Sequence, residues 1–201
     1  MTYFPGVPGQ EDPCHILLWT DRGTDEIRGL IRRTDAADWT GYSVLVPATA
    51  GSAAATASSG LSVACAPGTT DCRAVYANNG APREEVMLFF RVTNHTAGGT
   101  LSAGLQATSS STNLQLTRST PGIAFSRTAS PGFFDVWAQT AQDGTQNLWF
   151  GESGGGFHDI LNPTQFVVDT VGSSGGAIAT SMDPLAELPQ LVAFFLDETL
   201  P

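Results

Sequence analysis

Lysine is absent from this chain. All nine basic residues among its 201 are arginines, set against nineteen acidic residues for a formal net charge of −10. A nucleic-acid-binding surface needs clustered cations to displace counterions from phosphate. The one cluster here, Arg28, Arg32 and Arg33, is hemmed in by Asp25, Glu26, Asp35 and Asp38, so nucleic acid is not an expected partner. The same negative field repels anionic membrane surfaces. Charge of either sign is scarce as well, at 14% of residues against about 25% in an average domain. Solvent-facing helices draw on Glu, Lys, Gln and Arg. Thr, Ser, Gly and Ala fill those places here, which argues against long helices.

Long apolar runs are missing too. The longest, Val86 to Phe90 and Leu191 to Leu196, fall far short of the roughly 20 residues that a membrane-spanning helix requires. The opening MTYFPGVPGQEDP has no basic region and no apolar stretch behind it, so no secretory signal is expected. Cysteine is limited to three residues, Cys14, Cys65 and Cys72. No CxxC or HxxxH spacing accompanies them, so no metal centre and no cofactor is expected. Cys65 and Cys72 bracket the turn segment AlaProGlyThrThrAsp between strand-like LSVAC and CRAVY. Paired as a hairpin they stand opposite each other, at disulfide distance; two free, half-buried thiols are the alternative.

What the chain does have is apolar content, 41%, arranged for strands. His15 to Trp19 reads as a short strand. Thr24 to Asp38 is ambiguous: Ile27, Leu30 and Ile31 fit the stripe of a short helix that Gly29 interrupts, and a strand with a bulge is the alternative. From Tyr42 onward, short runs rich in Val, Leu, Thr and Phe alternate with turn residues such as AsnAsnGly at 78–80, SerProGly at 130–132 and AspGly at 143–144. This spacing predicts an all-β fold, an antiparallel β-sandwich or jelly roll with at most one or two short helices. Two hairpins stand out. Val86–Thr93 turns through 94–99 into Thr100–Thr108. Phe133–Gln142 turns through Asp143-Gly144, which suits a two-residue type I′ turn, into Thr145–Phe150. The first thirteen residues, with three prolines and two glycines, read as an extended N-terminal arm outside the core. Residues 1–40 then form the arm and a short leading segment, and 41–201 the sandwich.

Gly151-Glu152-Ser153-Gly154-Gly155 matches the GxSxG nucleophile pattern and resembles the GDSGG segment of trypsin-like serine proteases. The resemblance stops at those five residues. It implies Ser153 as nucleophile, but His15 lies in the N-terminal segment, His95 in a predicted turn and His158 only five residues downstream. No catalytic residue is therefore expected. His158-Asp159 reads as a loop pair, and Asp21, Asp25, Asp35 and Asp38 as a solvated acidic surface without calcium-loop spacing. Asn94-His95-Thr96 is a glycosylation sequon in a predicted turn. Trp137, Trp149 and Tyr76 are the candidates for a sugar-stacking platform, against the alternative of core aromatics.

An arm, a Ser/Thr/Gly/Ala-rich β body and few charges together resemble, in general style, the structural proteins of tailed-bacteriophage particles, such as capsid decoration, tail or baseplate components. No diagnostic motif carries that resemblance. It implies a non-enzymatic protein located in a virion, packing against other virion proteins or copies of itself as an oligomer. The expected contacts are Tyr3 and Phe4 in the arm, Trp137 and Trp149 in the aromatic hairpin, and Phe194 and Phe195 in the apolar C-terminal stretch. A carbohydrate-binding β-sandwich, with a glycan as ligand, is the alternative.

Overall fold

In β2, Cys14–Thr20, side chains alternate between buried Cys14, Ile16 and Leu18 and half-buried His15, Leu17 and Trp19. That two-residue period is the signature of a sheet with one covered face. The computed structural model describes residues 1–47, 60–78, 85–93, 99–108, 115–116, 122–126, 132–140, 146–153, 164–167, 179–182 and 191–194; within the strands from 103 onward, side chains are described only at 122–125 and 133. Strands β1 (Thr2–Phe4), β2, β3 (Ile27–Arg33) and β4 (Thr40–Val46) form an antiparallel four-stranded meander. A second four-stranded meander follows: β5 (Ser62–Cys65), β6 (Asp71–Ala77), β7 (Glu85–Thr93) and β8 (Thr100–Thr108). The third sheet runs β10 (Gly122–Ser126), β11 (Gly132–Thr140), β12 (Gln146–Ser153) and β13 (Thr164–Val167), with β9 (Gln115–Leu116) also pairing β11. Strands β14 (Ala179–Met182) and β15 (Leu191–Phe194) pair with each other. The fold is all-β and sandwich-like, as expected, and the described residues contain no helix.

The second sheet is the middle layer. Residues 72–78 are buried without a break, the pattern of a strand covered on both faces. Alternate residues enter different cores. Cys72, Ala74, Tyr76, Val86, Leu88, Phe90 and Val92 meet Phe4, Ile16, Ile27, Ile31 and Val46 of the first sheet. Their neighbours in the chain, Val75 and Met87, join Ala64, Ile123 and Phe133 on the other side. That second core holds Arg73, which is 7% exposed. Its guanidinium lies 4.1 Å from the centroid of the Phe133 ring and 4.7 Å from that of Phe89, and Nη1 donates to Met87 Sδ at 3.8 Å. Aromatic faces thus replace part of the water that a buried cation loses.

The structure decides two points of the sequence reading. The N-terminal residues are not an arm outside the core. Thr2, Tyr3 and Phe4 pair with Ile16, His15 and Cys14, and Phe4 is 0% exposed. The prolines and glycines serve the β1–β2 connection, which folds back through Val7 N–H to Glu11 O at 2.8 Å. Gly6, at φ +81°, is required there: a Cβ would sit 2.7 Å from Glu11 O and 2.9 Å from Pro13 N. Second, of the two alternatives for 24–38 the strand is the one found, with register shifts against β4 on either side of Gly29. The expected Asp143-Gly144 turn lies outside the described residues; the strands that flank it pair as an antiparallel ladder, with Thr140 opposite Gln146.

Cys65 and Cys72 are joined in a disulfide, with Cα atoms 4.0 Å apart. Ala66 N–H donates to Asp71 O at 3.0 Å, so Cys65–Cys72 is the adjacent non-hydrogen-bonded pair, where antiparallel strands come closest. Replacing both cysteines by alanine is expected to cost about 2 to 3 kcal/mol, the loop-closure value for so short a ring. Urea unfolding measures the loss, and the intact-mass gain on reduction reports the bond.

The two sheets of the first core also meet at Gly29, where a Cβ would lie 2.5 Å from Leu101 Cδ1 and 2.7 Å from Leu18 Cδ2. Gly29→Val is expected to destabilise by about 1 to 3 kcal/mol through overpacking. The double variant with Leu101→Ala is expected to lose less than the sum of the two single variants, measured by thermal unfolding of all four proteins.

Candidate functional site

A solvated sheet face normally carries polar side chains opposite its buried ones. The outward face of β1–β4 does not follow that rule. Its outward positions are Tyr3 on β1; His15, Leu17 and Trp19 on β2; Arg28, Leu30 and Arg32 on β3; and Tyr42 and Val44 on β4. Tyr3, Tyr42 and Val44 are 50%, 55% and 44% exposed. The register orders them into rows: Tyr3 beside His15 beside Arg32, then Leu17 beside Leu30, then Trp19 beside Arg28 beside Val44. A leucine pair is therefore flanked at both ends by aromatic and arginine side chains.

At one end, Arg28 is fixed from several sides. Nη1 bonds Asp21 Oδ2 at 2.7 Å and Nη2 bonds Glu26 Oε2 at 2.7 Å. Its guanidinium lies 5.8 Å from the Tyr42 centroid, and Tyr42 meets Trp19 at 6.3 Å between ring centroids. Asp21 is itself built into the β2–β3 turn, accepting from Gly23 N–H at 2.9 Å and Thr24 N–H at 3.1 Å. At the other end, Tyr3 and His15 rings lie 5.5 Å apart, and Arg32 stacks 5.4 Å from the Trp39 centroid. Arg33, the next residue, is held by Asp12 at 3.3 Å and Asp35 at 3.0 Å.

The residues expected to make contacts divide. Tyr3 is on this face. Phe4, one residue on, is in the core and offers nothing to a partner. Trp137 and Trp149 stand directly opposite each other in the β11–β12 ladder, but their side chains lie outside the described set. Phe194 pairs with Ala179 in the β14–β15 hairpin; Phe195 lies outside the described residues. Tyr76, expected as part of a sugar platform, is 0% exposed. Burial pushes its hydroxyl pKa well above the usual tyrosine range, and it belongs to the first core. Ser153 ends β12 in the ladder opposite Phe133. His95, His158 and Asp159 lie outside the described residues. No group of three His, Cys, Asp or Glu side chains placed to hold a metal occurs among the described residues.

Leu17, Trp19, Trp39, Tyr42 and Val44 were not singled out from sequence, and Arg28, Arg32 and Leu30 were noted there only as a basic cluster and a possible helical stripe. The signal was present: CHILLWT and IRGLIRR carry large apolar residues in both phases of the strand period, whereas a strand with one wet face keeps them in one.

The Asp21 carboxyl is held below its ordinary 3.8, first by the Gly23 N–H and then by Arg28, against an opposing cost of partial burial. A lowered carboxyl stabilises the fold above its unfolded-state value, and that contribution is withdrawn as pH falls through the lowered one. Stability measured by urea midpoint is expected to drop on acidification below pH 3.8, and Asp21→Ala is expected to flatten that limb. Asp21→Asn, which keeps an oxygen for the two amides, is expected to remain closer to wild type at neutral pH.

No protein-family model matches this chain, and neither a curated protein nor a solved structure matches it.

Proposed function

We propose that this protein is a non-enzymatic assembly component that works by packing against other protein subunits, with a virus particle (capsid decoration, tail or baseplate) as its setting. The observation that supports this is the outward face of β1–β4. It joins Trp, Tyr and Arg around a leucine pair. Those residue types dominate the energetics of protein–protein contacts, where an apolar centre is rimmed by polar groups. Leu17 and Leu30 are half-buried there, and Val44 is 44% exposed.

A glycan-binding role is the second reading. Trp19 beside Tyr42 favours it, since exposed rings stack on sugar faces. The aliphatic Leu17–Leu30 row between the two aromatic ends weighs against it, because leucine offers a sugar neither a flat ring nor a hydrogen bond.

Mass spectrometry of purified particles from the producing culture tests the proposal. The chain is expected at a fixed ratio to the major structural proteins, surviving a wash at high salt. Recovery only as free monomer, with no particle association, would sink it. Binding on a glycan array that is lost in Trp19→Ala would replace it with the second reading.

A further inference from the structure

Arg32 stands apart among the arginines of the first sheet. Arg28 has Asp21 and Glu26, and Arg33 has Asp12 and Asp35. Among the described residues, no carboxylate lies within ion-pair distance of Arg32; its one contact of this kind is the Trp39 ring at 5.4 Å. A guanidinium placed over a ring face keeps N–H groups able to donate in pairs to a carboxylate. The chain as a whole carries −10, yet the four strands of this sheet contain no acidic residue. The strands themselves thus add no negative charge beside Arg32, while Asp21 and Glu26 of the β2–β3 turn neutralise Arg28 at the other end of the face.

We propose that this face docks a protein segment bearing a carboxylate for Arg32 next to an apolar side chain for the Leu17–Leu30 row. The proposal rests on the assembly reading above and adds the location and chemistry of the contact. A second copy presenting the same face across a two-fold axis along the leucine row would bring Arg32 to the other copy's Arg28 end, where Asp21 and Glu26 already bond Arg28. An acidic glycan would satisfy Arg32 but would leave the leucine row against hydroxyl groups. A protein segment satisfies both.

The test uses the full chain, immobilised, and a random twelve-residue peptide library displayed on yeast. Selected peptides are expected to be enriched in Asp or Glu beside Leu, Ile, Phe or Tyr. Made synthetically, they are expected to bind Arg32→Glu and Leu17→Ser about tenfold more weakly than wild type. Arg22→Glu, in the exposed β2–β3 turn, is the charge control and is expected to bind as wild type does. Arg32→Gln, which keeps the stem on Trp39 and lacks the charge, supplies the same comparison should Arg32→Glu fail to fold. Peptides without acidic residues, or peptides insensitive to Arg32 and Leu17, overturn this location and chemistry while leaving the assembly reading intact. Self-association abolished by Arg32→Glu, or glycan binding abolished by it, overturns the choice of partner. Failure to select any peptide overturns the docking face, whereas absence of the chain from particles overturns the assembly reading.

Discussion

The middle sheet packs a core against each of its faces. Along β6 and β7, each step of the chain moves a side chain from one core to the other, so that Ala74 and Val75, or Met87 and Leu88, serve different layers. A strand buried on both sides specifies its register twice over, because a slip of one residue exchanges the contents of both cores. The remaining sheets are positioned by what they lay on this one. The first sheet brings Phe4, Ile16 and Ile31; the third brings Ile123 and Phe133. Side-chain hydrogen bonds fasten the layers at their margins: Leu101 N–H donates to Ser43 Oγ at 3.2 Å, and Ile123 N–H to Ser62 Oγ at 3.0 Å.

This arrangement also explains the outward face of the first sheet. Its inner side is occupied by the middle layer, so the second apolar phase of β2 and β3 has no partner within the described residues. Arg28 and Arg33 are each neutralised by two carboxylates, whereas Arg32 has the Trp39 ring and, among the described residues, no carboxylate. Its guanidinium is the one left available to something outside the chain.

Strand content was legible in the sequence because period-2 alternation and turn residues are local signals. The β7–β8 hairpin, with its pairing of Thr93 and Thr100, lies where its turn residues put it. Other features needed information that sequence does not carry locally. The N-terminal prolines fix extended backbone equally well in a free arm and in a hairpin connection; only Phe4 reaching the core distinguishes them. Gly29 breaks a helical stripe, but its cause is Leu101, over seventy residues away in the chain and packed against it. The outward face is hard to read locally, because apolar residues in the second phase of β2 and β3 have the same composition as ordinary strand formers.

Arg73 has a consequence for how such a molecule survives its own folding. Lysine can shed its proton when buried; a guanidinium cannot. The face of the middle sheet that awaits Phe133 therefore carries a fixed positive charge amid Ala64, Val75 and Met87. In any state where the first two sheets have joined and the third has yet to close, that charge interrupts what would otherwise be an unbroken sticky surface. Such interruptions act as gatekeepers against aggregation. Once the third sheet arrives, the same group lies against the rings of Phe89 and Phe133. One residue thus guards the open face and then becomes part of what closes it.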